Sequence, residues 1–144
     1  VQIHGVEGVR YMYHDPCHSP MKTHNPLKVV SQLMDTDVPL SDRCCGESGS
    51  FALSRPDIAT QVRFRKEEEL RKGADELRAD GFTGQVKVLT SCPACLQGLH
   101  RYRDDIDSDA DYIVVEMAKY ILGENWLPEY VAAANNGGIE RVLV

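Results

Sequence analysis

No apolar run in the sequence approaches the roughly 20 residues needed to cross a bilayer. A transmembrane segment is therefore not expected, and no signal-peptide pattern precedes the first charged residues. Positive charge is in short supply: 16 Lys and Arg stand against 22 Asp and Glu, for a net charge of −6. Nucleic-acid binding draws its affinity from bases that neutralise phosphates, so this balance excludes nucleic acid as an expected partner. The densest basic stretch (Arg63, Arg65, Lys66, Arg71, Lys72) is interleaved with Glu67, Glu68 and Glu69. That pattern reads as a solvated helical face with supporting pairs Glu67–Arg71 and Glu68–Lys72. Internal repeats, low-complexity tracts and linkers are missing. So are a phosphate-cradling glycine loop, a nucleophile–base pair, and paired carboxylates outside helical faces. A flavin or nicotinamide site within the chain is not expected.

Five cysteines are present, and they fall into one pattern: Cys17, then Cys44-Cys45-Gly46, then Cys92-Pro93-Ala94-Cys95. An odd number argues against a closed set of disulfides. Thiolates from separated segments are soft ligands of the kind that surround zinc or an iron–sulfur cluster. A reducing, cytoplasmic setting fits free thiols better than an oxidising one. The 144 residues, 42% of them hydrophobic, suit one domain spanning 1–144. The start at Val1, close to a strand-like segment, reads as a piece of a longer polypeptide.

Periodicity gives an α/β chain, with a small, mostly parallel sheet flanked by helices. Residues 9–14 form a strand that ends at Asp15-Pro16, and Asn25-Pro26 opens a helix to about Met34. A short helical turn is expected around Phe51 to Leu53. The longest helix spans about 56–79, with the apolar stripe Ile58, Val62, Leu70, Ala74 and Leu77 interrupted by Lys66. Residues 86–90 form a second strand, and Ser91 to Pro93 begin a helix to about Tyr102. An acidic connector at 104–111 is placed in solvent, with helices at about 114–122 and 128–134. A turn over 135–138 and a terminal strand at 139–144 follow. A third strand is signalled weakly, near 37–43 or 111–114. Tyr11, Tyr13, Phe51 and Leu53 are read as core residues.

The cysteines sit where such a fold collects ligands. Cys17 and Cys92 follow strand ends, and the carboxyl edge of a parallel sheet is where ligands gather. Cys92-Pro93-Ala94-Cys95 occupies a helix N-terminus, whose free N–H groups favour thiolate and anionic sulfur. Gly46 lets the adjacent pair Cys44-Cys45 bend toward a common centre through a positive φ or a close backbone approach. The small residues Ser48, Gly49 and Ser50 could offer amide donors to sulfur. Five ligands are one more than a tetrahedral zinc or an ordinary cubane requires.

This set, with Tyr13-His14-Asp15-Pro16-Cys17-His18 and Arg43-Cys44-Cys45-Gly46-Glu47-Ser48-Gly49, resembles the cysteine-rich "CCG" domain over about residues 9–122. That domain occurs in a heterodisulfide reductase subunit and in the iron–sulfur subunits of glycolate oxidase, lactate-utilisation and anaerobic glycerol-3-phosphate dehydrogenase systems. The resemblance implies an iron–sulfur electron-transfer domain, with Cys17, Cys44, Cys45, Cys92 and Cys95 as ligands of a [4Fe–4S] cluster, non-cubane in the heterodisulfide reductase branch. The spacing departs from that branch, with a shorter Cys17–Cys44 gap and a longer Gly46–Cys92 gap, and suits the oxidase-linked members. The tail around Val115-Glu116-Met117-Ala118 and Trp126-Leu127-Pro128 resembles the C-terminal end of FAD-linked 2-hydroxy-acid oxidases and dehydrogenases. The implied partners are a flavin-containing dehydrogenase domain or subunit, a second CCG domain, and a quinone or electron carrier. FAD is implied only in a remaining part of the parent protein. The implied location is cytoplasmic, peripheral to the inner membrane through partners.

Other readings stay open on the residues themselves. Zinc could be held by a subset of the cysteines with His14, His18 or His24, as a structural module. Cys92 and Cys95 could form a redox dithiol, or the thiols could simply be buried small hydrophobes. A cluster that cleaves a disulfide, as in heterodisulfide reductase, is the catalytic variant of the resemblance. His14 and His18 either tune a centre by hydrogen bonding or belong to the loop structure. His4 and His100 show no partner in the sequence.

Overall fold

Two strands rich in β-branched and aromatic residues, Val9–His14 (β1) and Gln85–Thr90 (β3), pair in parallel at the centre of the sheet. The computed structural model describes residues 4–47 and 49–137. Leu40–Ser41 (β2) pairs with β1 on one side and Ser108–Tyr112 (β4) with β3 on the other. The result is a four-stranded, all-parallel sheet in the order β2-β1-β3-β4. Between the strands run Pro26–Met34 (α1), Phe51–Ser54 (α2), Pro56–Arg78 (α3), Pro93–His100 (α4) and Arg103–Ile106 (α5). Ile113–Leu122 (α6) and Trp126–Asn135 (α7) follow the last strand. This is the α/β architecture that the periodicity predicts.

Local signals account for the helix starts. Asn25 accepts a hydrogen bond from the Lys28 N–H at 3.0 Å, and Pro26 occupies the first turn, where no N–H is needed. Pro56 and Pro93 open α3 and α4 in the same way. Alternation along the strands then splits the core between the two sheet faces. Met12, Val86 and Val88 pack with Leu70 and Ala74 of α3, Leu99 of α4 and Ile106 of α5. Tyr11, Tyr13 and Leu89 pack on the other face with Val30 and Met34 of α1 and Ile113 of α6.

The structure corrects several expectations. The acidic stretch 104–111 is not a solvated connector: it forms α5 and β4, with Ile106, Ser108 and Ala110 buried. Its acids are accommodated by cations, Asp109 with Arg103 at 2.8 Å and Asp111 with Lys119 at 2.9 Å. Of the two places where a third strand is signalled, 37–43 holds β2, and 111–114 takes in only the last two residues of β4 before α6 begins at Ile113. The buried face of α3 is Ala59, Lys66, Leu70 and Ala74, while Ile58 is exposed. Lys66 is thus a fully buried residue and not a gap in an apolar stripe. Arg71 does pair with Glu67 at 2.7 Å, but Glu68 lies 3.7 Å from Arg43 and Lys72 3.8 Å from Glu76. Tyr11 and Tyr13 are core residues, whereas Phe51 is half-buried and Leu53 is 86% exposed. The helix that begins at Pro93 ends at His100, before Tyr102. The terminal strand expected at 139–144 lies outside the described residues, as does Gly138 of the preceding turn.

A buried charge cluster locks α6 onto the sheet. Glu116 Oε1 accepts from Lys87 Nζ at 2.7 Å and Lys119 Nζ at 2.8 Å, while Oε2 accepts from Tyr11 Oη at 2.7 Å. Burial alone would raise the Glu116 carboxyl, but the bonds from Lys119, Lys87 and Tyr11 outweigh it and hold it below its usual range. A carboxyl with a depressed folded value stabilises the fold above its unfolded pKa of about 4.3, and that stability is lost as pH falls through the folded value. Glu116→Gln should lower the unfolding free energy by about 3 kcal/mol near neutrality, because it leaves Lys87 buried without a countercharge. The gap from wild type should narrow below about pH 4. Urea titrations across pH read both effects, and a gap independent of pH would rule out charge pairing as its source.

Candidate metal centre

Parallel pairing places the carboxyl ends of β2, β1 and β3 side by side, and each end releases a cysteine-bearing loop. Cys17 follows β1, Cys44 and Cys45 follow β2, and Cys92 caps the helix after β3. The sequence anticipates two of these strand ends; β2 supplies the third. All five cysteines line one cavity of about 110 Å³, with His18 and Gly49 also on its wall. A larger depression of about 750 Å³, along the outer face of α3, is walled by charged side chains and Phe64 and touches no cysteine.

The five thiols are free, and they differ in depth. Cys45 and Cys95 are buried, Cys92 is half-buried, and Cys17 and Cys44 are exposed. The Cys45 and Cys95 sulfurs stand 3.4 Å apart. Two sulfurs on one tetrahedral metal at about 2.3 Å would be about 3.8 Å apart, so the pair is close to bridging distance. Hydrogen bonding with Cys95 is the largest effect on the Cys45 thiol. Against burial, and with help from His14 and the Glu47 backbone, it brings Cys45 down to about 4. Cys95 is correspondingly raised, first by the bond to Cys45 and then by burial. Cys17 is raised by partial desolvation and by the neighbouring Cys44 sulfur. Cys92 is the N-cap of α4 in extended conformation, with no side-chain capping bond, and Cys95 lies in the first turn. The unsatisfied N–H groups there favour negatively charged sulfur.

The Cys44-Cys45 loop is held by groups outside the cysteine set. Gly46 has φ +75°, and a Cβ on it would stand 3.4 Å from both Arg63 and Val62 of α3. Its N–H donates to the Cys44 sulfur at 3.3 Å. Glu69 accepts from the N–H groups of Asp42 at 2.9 Å and Arg43 at 3.2 Å, and from Ser41 Oγ at 2.8 Å. Glu47 pairs with Arg63 at 3.2 Å and Arg101 at 2.8 Å, and any side chain at Gly98 would collide with it. Ser48 lies outside the described residues.

Beneath the sulfurs, His14 is buried and one of its ring nitrogens lies within 4.8 Å of the Cys45 and Cys95 sulfurs. Its Nδ1 is 3.1 Å from Lys66 Nζ. Burial pulls the Lys66 ammonium down while Glu69 opposes that shift; Glu69, raised by burial, is brought below its usual range chiefly by Lys66. Of the other histidines, His18 borders the cavity, and His24 is exposed and does not line it. His4 lies 2.6 Å from Asp35 and His100 3.1 Å from Asp109. Sequence reasoning misses Lys66, Glu69 and Glu47 as parts of this site. The available signal was the lysine breaking the apolar stripe of α3.

The donor set is all sulfur at its periphery, with one imidazole at its base, and three of the groups are buried together. That chemistry fits a soft metal or an iron–sulfur cluster and not a hard cation such as calcium or magnesium. The family described as cysteine-rich domain (CCG) matches residues 11–100, and one described as a domain of unknown function matches residues 100–144. The chain is 39% identical over 70 residues to the glycolate oxidase iron-sulfur subunit of Escherichia coli, covering 45% of this chain and 17% of that protein. It is 29% identical over 93 residues to a fumarate reductase (CoM/CoB) subunit of Methanothermobacter marburgensis, covering 60% of this chain and 17% of that protein. An uncharacterized iron-sulfur protein of Methanocaldococcus jannaschii is 28% identical over 125 residues, covering 78% of this chain and 24% of that protein. The chain thus spans no more than a quarter of the length of these relatives. No solved structure matches.

Gly46→Ala should lower stability by about 1–2 kcal/mol, because φ +75° is costly for an L side chain. It should also weaken metal uptake, because relief of the strained φ shifts the loop that carries Cys44 and Cys45. Thermal melts paired with metal titration check this, and an unchanged melt would show that the loop tolerates a Cβ.

Proposed function

The chain belongs to the family of cysteine-rich (CCG) domains, and from that premise we propose that it is an iron–sulfur electron-transfer domain whose centre is held by Cys17, Cys44, Cys45, Cys92 and Cys95. The observation that carries this reading is the single 110 Å³ cavity walled by every cysteine in the sequence. An iron–sulfur cluster bound there supplies one-electron storage at a potential set by burial and hydrogen bonds to sulfur. The protein's own groups prepare the site. Cys45 is already inclined to the thiolate, the first turn of α4 favours negative sulfur, and Glu47 and Glu69 fix the loop that carries the adjacent pair. Gly46 provides the bend that turns that loop into the cavity.

The finer assignment is a [4Fe–4S] cluster that relays electrons from a flavin oxidising a 2-hydroxy acid of the glycolate or lactate type. The similarity to a glycolate oxidase iron-sulfur subunit supports it. Its partners are then a flavin-bearing dehydrogenase subunit or domain, a second CCG domain, and a quinone or soluble carrier as acceptor. No described helix is long and apolar enough to cross a membrane; on this reading, contact with a membrane-borne acceptor runs through such partners.

Anaerobic reconstitution of the chain with iron and sulfide should give sulfur-to-iron charge-transfer absorption and, after reduction, an EPR signal. Cys45→Ser should abolish cluster assembly if all five cysteines are ligands, and full occupancy in that variant reduces the set to four. Stoichiometric zinc binding with no charge-transfer band would falsify the iron reading in favour of a structural zinc module. In the parent complex, electron transfer from reduced flavin to the domain tests the relay, and turnover of a disulfide substrate instead of flavin oxidation would assign the catalytic variant.

A further inference from the structure

His14 closes β1 and sits opposite Ser41 of β2 in the parallel register, 1% exposed. Its Nδ1 lies 3.1 Å from Lys66 Nζ and 3.4 Å from the Ser41 carbonyl oxygen. Its Nε2 is buried and has no hydrogen-bond partner among the described residues. Since a ring nitrogen lies within 4.8 Å of the Cys45 and Cys95 sulfurs, and Nδ1 is engaged on the lysine side, Nε2 is the nitrogen left to face sulfur.

The lysine decides where the imidazole proton sits. Lys66 Nζ donates to Glu69 Oε2 at 3.0 Å and to Ser41 Oγ at 2.6 Å. Glu69 in turn accepts from the backbone N–H groups of Asp42 and Arg43, which hold it as a carboxylate. A buried lysine against that carboxylate is an ammonium, which has three donors and no lone pair. The Ser41 carbonyl oxygen, 3.2 Å from Nζ, shares the third N–H with His14, but across the 3.1 Å contact between the two nitrogens only Nδ1 can supply a lone pair, and in a neutral imidazole that accepts there the proton rests on Nε2. A protonated Nε2 has no lone pair to offer a metal.

We propose that His14 is a hydrogen-bond donor to the Cys45–Cys95 sulfur pair and not a metal ligand, with Lys66 and Glu69 as the positioning residues that fix its tautomer. The consequence for the centre rests on the iron–sulfur reading: an N–H group directed at cluster sulfur stabilises the more negative, reduced state and raises the potential. His14 thus sets the potential from beneath the sheet edge, out of reach of solvent.

The tautomer is tested on the metal-free, full 144-residue chain labelled with ¹⁵N-histidine, and so does not depend on the cluster. Two-bond ¹⁵N–¹H correlation should show His14 protonated at Nε2 in the wild type and shifted to Nδ1–H in Lys66→Met, where the Ser41 carbonyl becomes its acceptor. An Nδ1–H tautomer in the wild type overturns the proposal even if the lysine variant does not fold, and an unchanged tautomer in a folded Lys66→Met overturns the role of the lysine. In the iron-loaded chain, pulsed EPR should show only weak ¹⁵N coupling, and the strong coupling of a bound nitrogen overturns the donor assignment. His14→Asn, which keeps an acceptor for Lys66 but has no donor at the sulfur end, should retain iron and sulfide content and lower the midpoint potential. His14→Gln, whose amide N–H reaches further, should recover part of that loss. Unchanged potentials in both variants sink the proposal. If the wild type assembles no cluster, the iron–sulfur reading fails while the tautomer still decides this one.

Discussion

Lys66 is carried into the interior by a helix whose outer face is charged, and its ammonium ends with no exposure. An unpaired charge at such a depth would cost several kcal/mol, so its neighbours are obligatory and not decorative. Glu69 supplies the countercharge, and Ser41 and His14 supply the remaining acceptors. Those partners belong to α3, β2 and β1, so satisfying one side chain fixes three elements relative to one another. Glu69 then reaches past the lysine to the backbone of residues 42 and 43, which leads directly into Cys44 and Cys45. The position of the least regular cysteine loop therefore depends on an ion pair between buried Lys66 and half-buried Glu69 that contains no cysteine.

Sulfur placement follows from the geometry of the sheet. Parallel strands put the exits of neighbours on one edge, and three adjacent exits carry all the thiols. Depth then divides their chemistry. Cys45 and Cys95, buried and 3.4 Å apart, polarise one another, while Cys17 and Cys44 stay exposed at the surface. The second buried charge cluster, around Glu116, performs the comparable structural task on the opposite sheet face and holds α6 against β1 and β3. Neither cluster would be readable from composition, because each joins residues far apart in sequence.

Where sequence reasoning succeeded, the determinants were local. The proline-headed helices, the strand at 9–14 and the CxxC at a helix start depend on capping and on side-chain periodicity within a few residues. It failed at 104–111, where acidic composition suggested solvent. There, pairing with β3 and neutralisation by Arg103 and Lys119 overrode weak intrinsic preference. It failed again at Ile58 and Leu53, where apolar identity said nothing of which face the helix would turn inward.

From the sequence by itself came the α/β class, the grouping of the five cysteines as candidate ligands and the glycine that lets the Cys44-Cys45 loop bend, since each is a matter of residue type and short-range geometry. The tertiary structure alone decided that β2 supplies a third strand exit, that Cys45 and Cys95 form the buried pair, and that His14 stands beneath them. The last contact shows the reason. His14 and Lys66 are 52 positions apart, and the sequence marks them only as a histidine near a cysteine and a lysine out of place on a helix. Folding makes them neighbours because burial demands a partner for the charge, and that demand is visible only once the interior exists.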